Sequence, residues 1–184
     1  MVQVIVIGGS AGALDALTVI LATLPPTLRV PLVLVLHILP DKPSYLVEVL
    51  GRHCALRVKE AEDKEPLAAG TLYVAPPNYH VLLEKNGCLA LSVDDPLFFS
   101  RPSIDVLFDS AAEAFGPGAL GVLLTGASED GARGLAHMRR AGGRTVVQSP
   151  ESAAVRTMPD AALSLDDGHD VLSLPRIGAL LAHA

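Results

Sequence analysis

Ser10, His37 and Asp130 are residues whose types could together perform nucleophilic chemistry. Each stands at the end of an apolar run: VIVIGG precedes Ser10, PLVLVL precedes His37, and Asp130 lies in GVLLTGASEDGA. A serine hydroxyl is a weak nucleophile until a base takes its proton, and an imidazole can be that base when a carboxylate fixes its tautomer. Ser10 sits in Gly8-Gly9-Ser10-Ala11-Gly12, which fits G-x-S-x-G between a strand and a helix. Small neighbours allow a sharp turn there, and N–H groups at a helix start can face a developing oxyanion. Each residue also has a bland use. Ser10 could be a helix N-cap, His37 a satisfied edge histidine, and Asp130 a helix-terminal acid favoured by the macrodipole. Three residues of the right types at three strand ends make a chemical role the better account.

Two other uses of the glycine turn fail on spacing. A phosphate-binding loop requires G-x-x-x-x-G-K-[ST], and no lysine lies nearby. A dinucleotide fingerprint requires G-x-G-x-x-G. Counting from Gly8 puts Ser10 and Ala13 at the glycine positions, and counting from Gly9 puts Ala11 and Leu14 there. The second strand also ends in His37 rather than in an acid that could hold a ribose. Among the remaining histidines His80 alone competes for the same rim, because it opens a hairpin just after a strand and a proline loop. Cys54 and Cys88 stand in no CxxC pair and beside no histidine at metal-ligand spacing, so they read as two reduced thiols, with neither a metal nor a cofactor expected.

The elements that must carry these residues alternate. Strands are expected at Val2–Ile7, Pro31–Leu36, Leu56–Val58, Thr71–Ala75, Ala119–Leu124 and Arg144–Val147. Helical spacing covers Ala13–Leu24, Pro43–Arg52, Pro102–Phe115, Asp130–Ala141, a short piece from Met158-Pro159 to Leu163, and Leu174–Ala182. Tyr79–Leu83 and Cys88–Val93 flank Asn86-Gly87, a hairpin signal. Continuous apolar strands separated by helices imply an α/β fold with a doubly wound, mostly parallel sheet, helices on both faces (a three-layer α/β/α sandwich) and one antiparallel hairpin. Ligands in such a sheet bind beyond the carboxyl ends of the strands, where strand order reverses.

Composition sets the remaining bounds. The 184 residues suit one domain, 1–184; half are hydrophobic and 18% are charged, enough for a buried core. A net charge of −6 without a basic run argues against nucleic acid or an anionic membrane as partner. No apolar stretch reaches the ~18 residues needed to span a bilayer, and no leader precedes the first strand, so a cytoplasmic protein is expected.

Taken in order, VIVIGGSAGALDAL, the His37 after PLVLVL, YVAPPNYHVLL, FSRPSIDVLFDSAA, VLLTGASEDGARGLAHMRRAGG and VVQSPESAAVRTMPDAAL resemble the catalytic domain of the chemotaxis protein-glutamate methylesterases, the CheB family. The resemblance implies a Ser-His-Asp triad that removes methyl groups from glutamate methyl esters on the cytoplasmic helices of chemoreceptors, releasing methanol. Many members also deamidate receptor glutamines. By motif Ser10, His37 and Asp130 fall on the triad, in an order unlike that of the α/β-hydrolases, where the acid precedes the histidine. The backbone N–H groups of Ala11 and Ala127 fall on the oxyanion donors, and His80 and Arg101 on positions lining the site, where they are expected to serve substrate or site support. The family often has Thr at Ala11 and Met at Ala127, and its proline after the histidine comes sooner than Pro40 does. A receiver domain usually precedes the esterase; here the first strand follows Met1 directly, so control by phosphorylation in cis is not expected of this chain as given, and a separate receiver protein is one candidate partner. A methylated receptor or other signalling protein is the expected substrate. Docking an acidic helix calls for local positive charge, with Arg101, Arg133, Arg139, Arg140 and Arg156 as candidates near the rim. A non-catalytic interaction module of the same fold is the alternative, and a nucleotide-binding protein a third.

Overall fold

The computed structural model describes residues 1–37 and 45–184. Its main sheet has seven strands, all parallel, in the order β3-β4-β2-β1-β7-β8-β9. These are β1 (Val4–Gly9), β2 (Leu32–Leu36), β3 (Arg57–Glu60), β4 (Thr71–Val74), β7 (Ala119–Leu123), β8 (Arg144–Gln148) and β9 (Asp170–Leu172). A separate antiparallel pair, β5 (His80–Leu83) and β6 (Leu89–Ser92), turns through Asn86-Gly87, where Asn86 Oδ1 accepts the Cys88 N–H at 2.9 Å. The helices are α1 (Ala13–Leu21), α2 (Leu46–Gly51), α3 (Ile104–Phe115), α4 (Ala132–Arg140), α5 (Thr157–Leu165) and α6 (Leu174–Ala182).

Although the central strands are apolar throughout, their side chains still alternate between two faces. Val4, Val6, Val33, Val35 and Leu123 face α3, α4, α5 and the β5–β6 hairpin. Ile5, Ile7, Leu32, Leu34 and Val122 face α1, α2 and α6. Each fully buried aliphatic side chain contributes about 1.5–3 kcal/mol. Helix α3 follows its apolar stripe, with Ile104, Leu107, Phe108 and Ala111 buried at helical spacing. The hairpin docks on that helix, where Ser110 Oγ accepts the Leu83 N–H at 3.0 Å.

The doubly wound sandwich expected from the pattern is therefore present. Three details differ. β9 was not expected: it is three residues long, lies at the sheet edge and exposes Asp170 and Val171, so it carries no buried run. β3 is shifted to Arg57–Glu60 and is largely polar. The helix expected over Pro43–Arg52 covers Leu46–Gly51 among the described residues; its predicted start and Pro40 lie outside them.

The chain runs from β1 outward to β2 and on to the edge strand β3, comes back to β4 between those two, then crosses to β7 on the other side of β1. The strand order reverses between β1 and β7, so the crevice above their carboxyl ends is where a ligand belongs.

Candidate active site

Ser10 and His37 occupy equivalent places on neighbouring strands. Gly9 pairs with Leu36 in register, and the His37 N–H donates to Gly9 O at 3.2 Å. On the other side, the Ser10 N–H donates to Thr125 O at 3.0 Å, just past the end of β7. Gly12 then starts α1 at φ +79°, a left-handed conformation that a glycine adopts without penalty. The loop after β7 presses on the serine. A Cβ on Gly126 would stand 2.9 Å from Ser10 Cβ and 2.6 Å from Met158 Cε, so only glycine allows this approach. Ala11 and Ala127 follow Ser10 and Gly126 in these two loops, and the N–H of neither hydrogen-bonds to another described residue. The Ser10 hydroxyl likewise has no partner among the described residues.

Thr125 ties the two loops together, and sequence reasoning did not single it out. Its N–H donates to Gln148 Oε1 at 2.9 Å. Its hydroxyl lies 3.0 Å from the carbonyl oxygens of both Ala11 and Val155 and accepts the Val155 N–H at 2.8 Å. One hydroxyl proton serves one carbonyl at a time.

His37 and Asp130 meet directly, with Nε2 2.7 Å from Oδ2. Asp130 is fully buried, so it accepts hydrogen bonds or stands at high cost. Its Oδ2 also takes the Ile104 N–H at 2.7 Å, while Oδ1 takes the Asp105 N–H at 2.9 Å and the Ser103 hydroxyl at 2.8 Å. The carboxylate is thus seated on the N-terminal turn of α3, whose free N–H groups and dipole favour an anion. Burial pushes its pKa up, but the His37 bond, the two N–H groups and the Ser103 hydroxyl outweigh it and hold the acid below the usual carboxylate range. An ionised Asp130 accepts from Nε2–H, which leaves Nδ1 as the imidazole nitrogen able to take a proton.

His80, expected to line the site or support it, is buried. Its Nδ1 accepts the Ser103 N–H at 3.1 Å, and Nε2 lies 3.2 Å from Asp95 O. These partners fix a neutral tautomer and make His80 a support for Ser103, and through it for Asp130. Arg101 is half-buried and clasps three neighbouring loop residues: Asn78 Oδ1 at 2.7 Å, Val93 O at 2.7 Å and Asp94 O at 3.0 Å. The other arginines divide. Arg133 stacks over Phe98, 5.1 Å from the ring centroid, beside a 690 Å³ groove between α4 and α5 that Glu129 also lines. Arg156 pairs with Asp160 one turn on. Arg139 and Arg140 are not near the rim, contrary to expectation: they close the last turn of α4, and Arg139 is engaged by Asp166 and Gly168 O. A helix crossing between parallel strands starts at the sheet edge where the strands' carboxyl ends lie and ends at the opposite one. Cys54 and Cys88 are free thiols. Among the described residues no cluster of acid, histidine and cysteine side chains is arranged to hold a metal, and no helix is long and apolar enough to cross a membrane.

Fold and site together define a class: an α/β protein with a serine and a histidine at the ends of neighbouring strands, the histidine bonded to a buried carboxylate, at the switch point of a parallel sheet. The family model for CheB methylesterase matches residues 5–181, and the chain belongs to that family. It is 44% identical over 178 residues to a "Putative protein-glutamate methylesterase/protein-glutamine glutaminase" of Leptospira interrogans, covering 97% of this chain and 92% of that one. It is 41% identical to "Protein-glutamate methylesterase FrzG" of Myxococcus xanthus, covering 96% of this chain but 53% of the relative, so it spans about half the length of that protein. The crystal structure of the Thermotoga maritima CheB methylesterase catalytic domain superposes with a TM-score of 0.93 at 31% identity, covering all of this chain and 98% of that one.

Proposed function

We propose that the protein is a serine hydrolase that demethylates glutamate methyl esters on chemoreceptor-type signalling proteins in the cytoplasm. The observation that carries the proposal is the 2.7 Å bond between His37 and the buried Asp130, one strand away from Ser10 in register. The Ser10 hydroxyl attacks the ester carbonyl as His37 Nδ1 takes its proton. Asp130 stabilises the imidazolium that forms. The carbonyl oxygen becomes an oxyanion, for which the free N–H groups of Ala11 and Ala127 are the donors. Collapse breaks the bond to the methoxy oxygen, which leaves as methanol with the proton from His37. Water, deprotonated by the same imidazole, then attacks the glutamyl ester on Ser10; the acyl carbon–Oγ bond breaks, Ser10 Oγ takes the proton back from His37, and the glutamate side chain is released. The oxyanion donors are backbone groups, so alanine at positions 11 and 127 does not remove them. The same steps on a glutamine would expel ammonia, consistent with the second activity in the Leptospira relative's name. A separate receiver protein is the proposed regulator.

The test is Ser10→Ala, with methanol release measured from a protein substrate methylated beforehand. Turnover is expected to fall by roughly 10³-fold or more, because the members of a triad act as a unit. Undiminished turnover in a folded variant would remove the proposal and leave an interaction module as the better account.

A further inference from the structure

Asp105 occupies the first turn of α3, yet its buried carboxylate caps a different helix. Oδ1 accepts the Gly131 N–H at 3.0 Å and the Gly134 N–H at 2.7 Å, both at the start of α4, and Oδ2 faces Arg133 Nε at 3.4 Å. The arrangement is reciprocal. Asp130, just ahead of α4, seats its own carboxylate on the first turn of α3. Each helix has its unpaired N–H groups satisfied by an acid from the other. Asp105 consequently grips the Asp130–Gly131 segment twice. Its N–H holds Asp130 Oδ1 at 2.9 Å, and its carboxylate holds the N–H of the next residue. Gly131 stands at φ +95°, a conformation that glycine adopts freely and that other residues reach only with strain. The helices leave no slack, because a Cβ on Gly134 would lie 2.9 Å from Asp105 O and 2.7 Å from Phe108 Cβ.

We propose that Asp105 is a positioning residue for the hydrolysis: by locking Gly131 and the first turn of α4 it sets the direction in which Asp130 presents Oδ2 to His37. The proposal rests on the esterase chemistry above and adds a residue to it. Burial of Asp105 beside a second carboxylate raises its pKa, which marks the seat as costly for an acid that only capped a helix.

Geometry and charge can be separated by substitution. Asp105→Asn keeps an oxygen where Oδ1 stands and places its amide toward Arg133, which is largely exposed and free to swing away. Asp105→Glu keeps the charge but adds a methylene where the helices touch. The measurements are kcat and KM for methanol release, and the proton NMR signal of the His37 Nε2–H, which lies far downfield when bonded to a carboxylate. Asp105→Asn should stay within about threefold of the parent, whereas Asp105→Glu and Asp105→Ala should lose about 10- to 100-fold in kcat at unchanged KM, the scale for displacing a reacting group by about 1 Å. In the two impaired variants the downfield signal should shift or broaden. Parent-level kcat in Asp105→Glu or in folded Asp105→Ala would overturn the proposal, as would a loss in Asp105→Asn equal to that in Asp105→Glu. If Asp105→Ala does not fold, the Asn–Glu comparison decides. If the parent releases no methanol, the esterase chemistry fails by itself. The NMR signal still judges Asp105, and an unchanged resonance in Asp105→Glu overturns its role.

Discussion

Replacing Asp130 by asparagine removes a charge while keeping the shape, and the structure says which way the new amide will turn. At the Oδ2 position an NH2 group would meet two donors, His37 Nε2–H and the Ile104 N–H. At the Oδ1 position it would meet the Ser103 hydroxyl, which can rotate to accept, and the Asp105 N–H, which cannot. The second orientation is therefore favoured. It leaves one buried N–H without an acceptor, a cost of about 1–3 kcal/mol in stability. The asparagine carbonyl still accepts from Nε2, so the imidazole keeps its tautomer. What is lost is the negative charge opposite the imidazolium in the transition state. The expected fall in kcat is about 10²–10³-fold, or ~2.7–4 kcal/mol at 1.36 kcal/mol per decade, below the ~10⁴ seen where such a change also inverts the tautomer. Methanol release at saturating substrate measures it, with urea denaturation alongside. The same variant carries a pH signature. Asp130 titrates below its unfolded value of ~3.9, so its stabilisation is complete above that pH and disappears as pH falls through the lower folded value. Parent and variant should converge in denaturation midpoint as the pH drops below ~4. A loss under tenfold, or one confined to KM, would refute the reasoning.

Two further outcomes follow from packing and burial. Gly126→Ala would push a methyl against Ser10 Cβ and the Met158 thioether. It should cost about 1–3 kcal/mol of stability through overpacking and at least tenfold in kcat, checked by thermal melts and the methanol assay; parent-level kcat would mean that the loop does not constrain Ser10. His169 shares a 2.8 Å hydrogen bond with Thr145 Oγ1, and its buried Nε2 has no partner among the described residues. Burial pushes its pKa down, so the protein should be most stable above the unfolded value of ~6.5 and lose stability as pH falls through the lowered folded value. Comparing denaturation midpoints at pH 7 and pH 5 should show a smaller difference in His169→Gln.

The sheet and its rim were legible because buried parallel strands announce themselves. VIVI, LVLVL and ALGVL have no other use than a core. β9 was not legible, since an edge strand with two exposed residues carries no such signal. At the site, Ser10, His37 and Asp130 could be placed because each follows an apolar run. The supports could not. Asp105 reads as an ordinary acid in a first helical turn, and only the packing of α3 on α4 shows whose N–H groups it serves. His80 was placed at the rim by its position before the hairpin. Whether such a residue faces the crevice or the interior depends on where α3 begins, which sequence spacing fixes only to within a few residues.

The central claim is that Ser10 is a nucleophile activated by the His37–Asp130 pair. Treating the folded protein with a fluorophosphonate probe and locating the adduct by peptide mass spectrometry tests it most directly. The account predicts one adduct, on the peptide containing Ser10, lost when His37 is replaced by alanine. An unmodified Ser10, or labelling indifferent to His37, would contradict it.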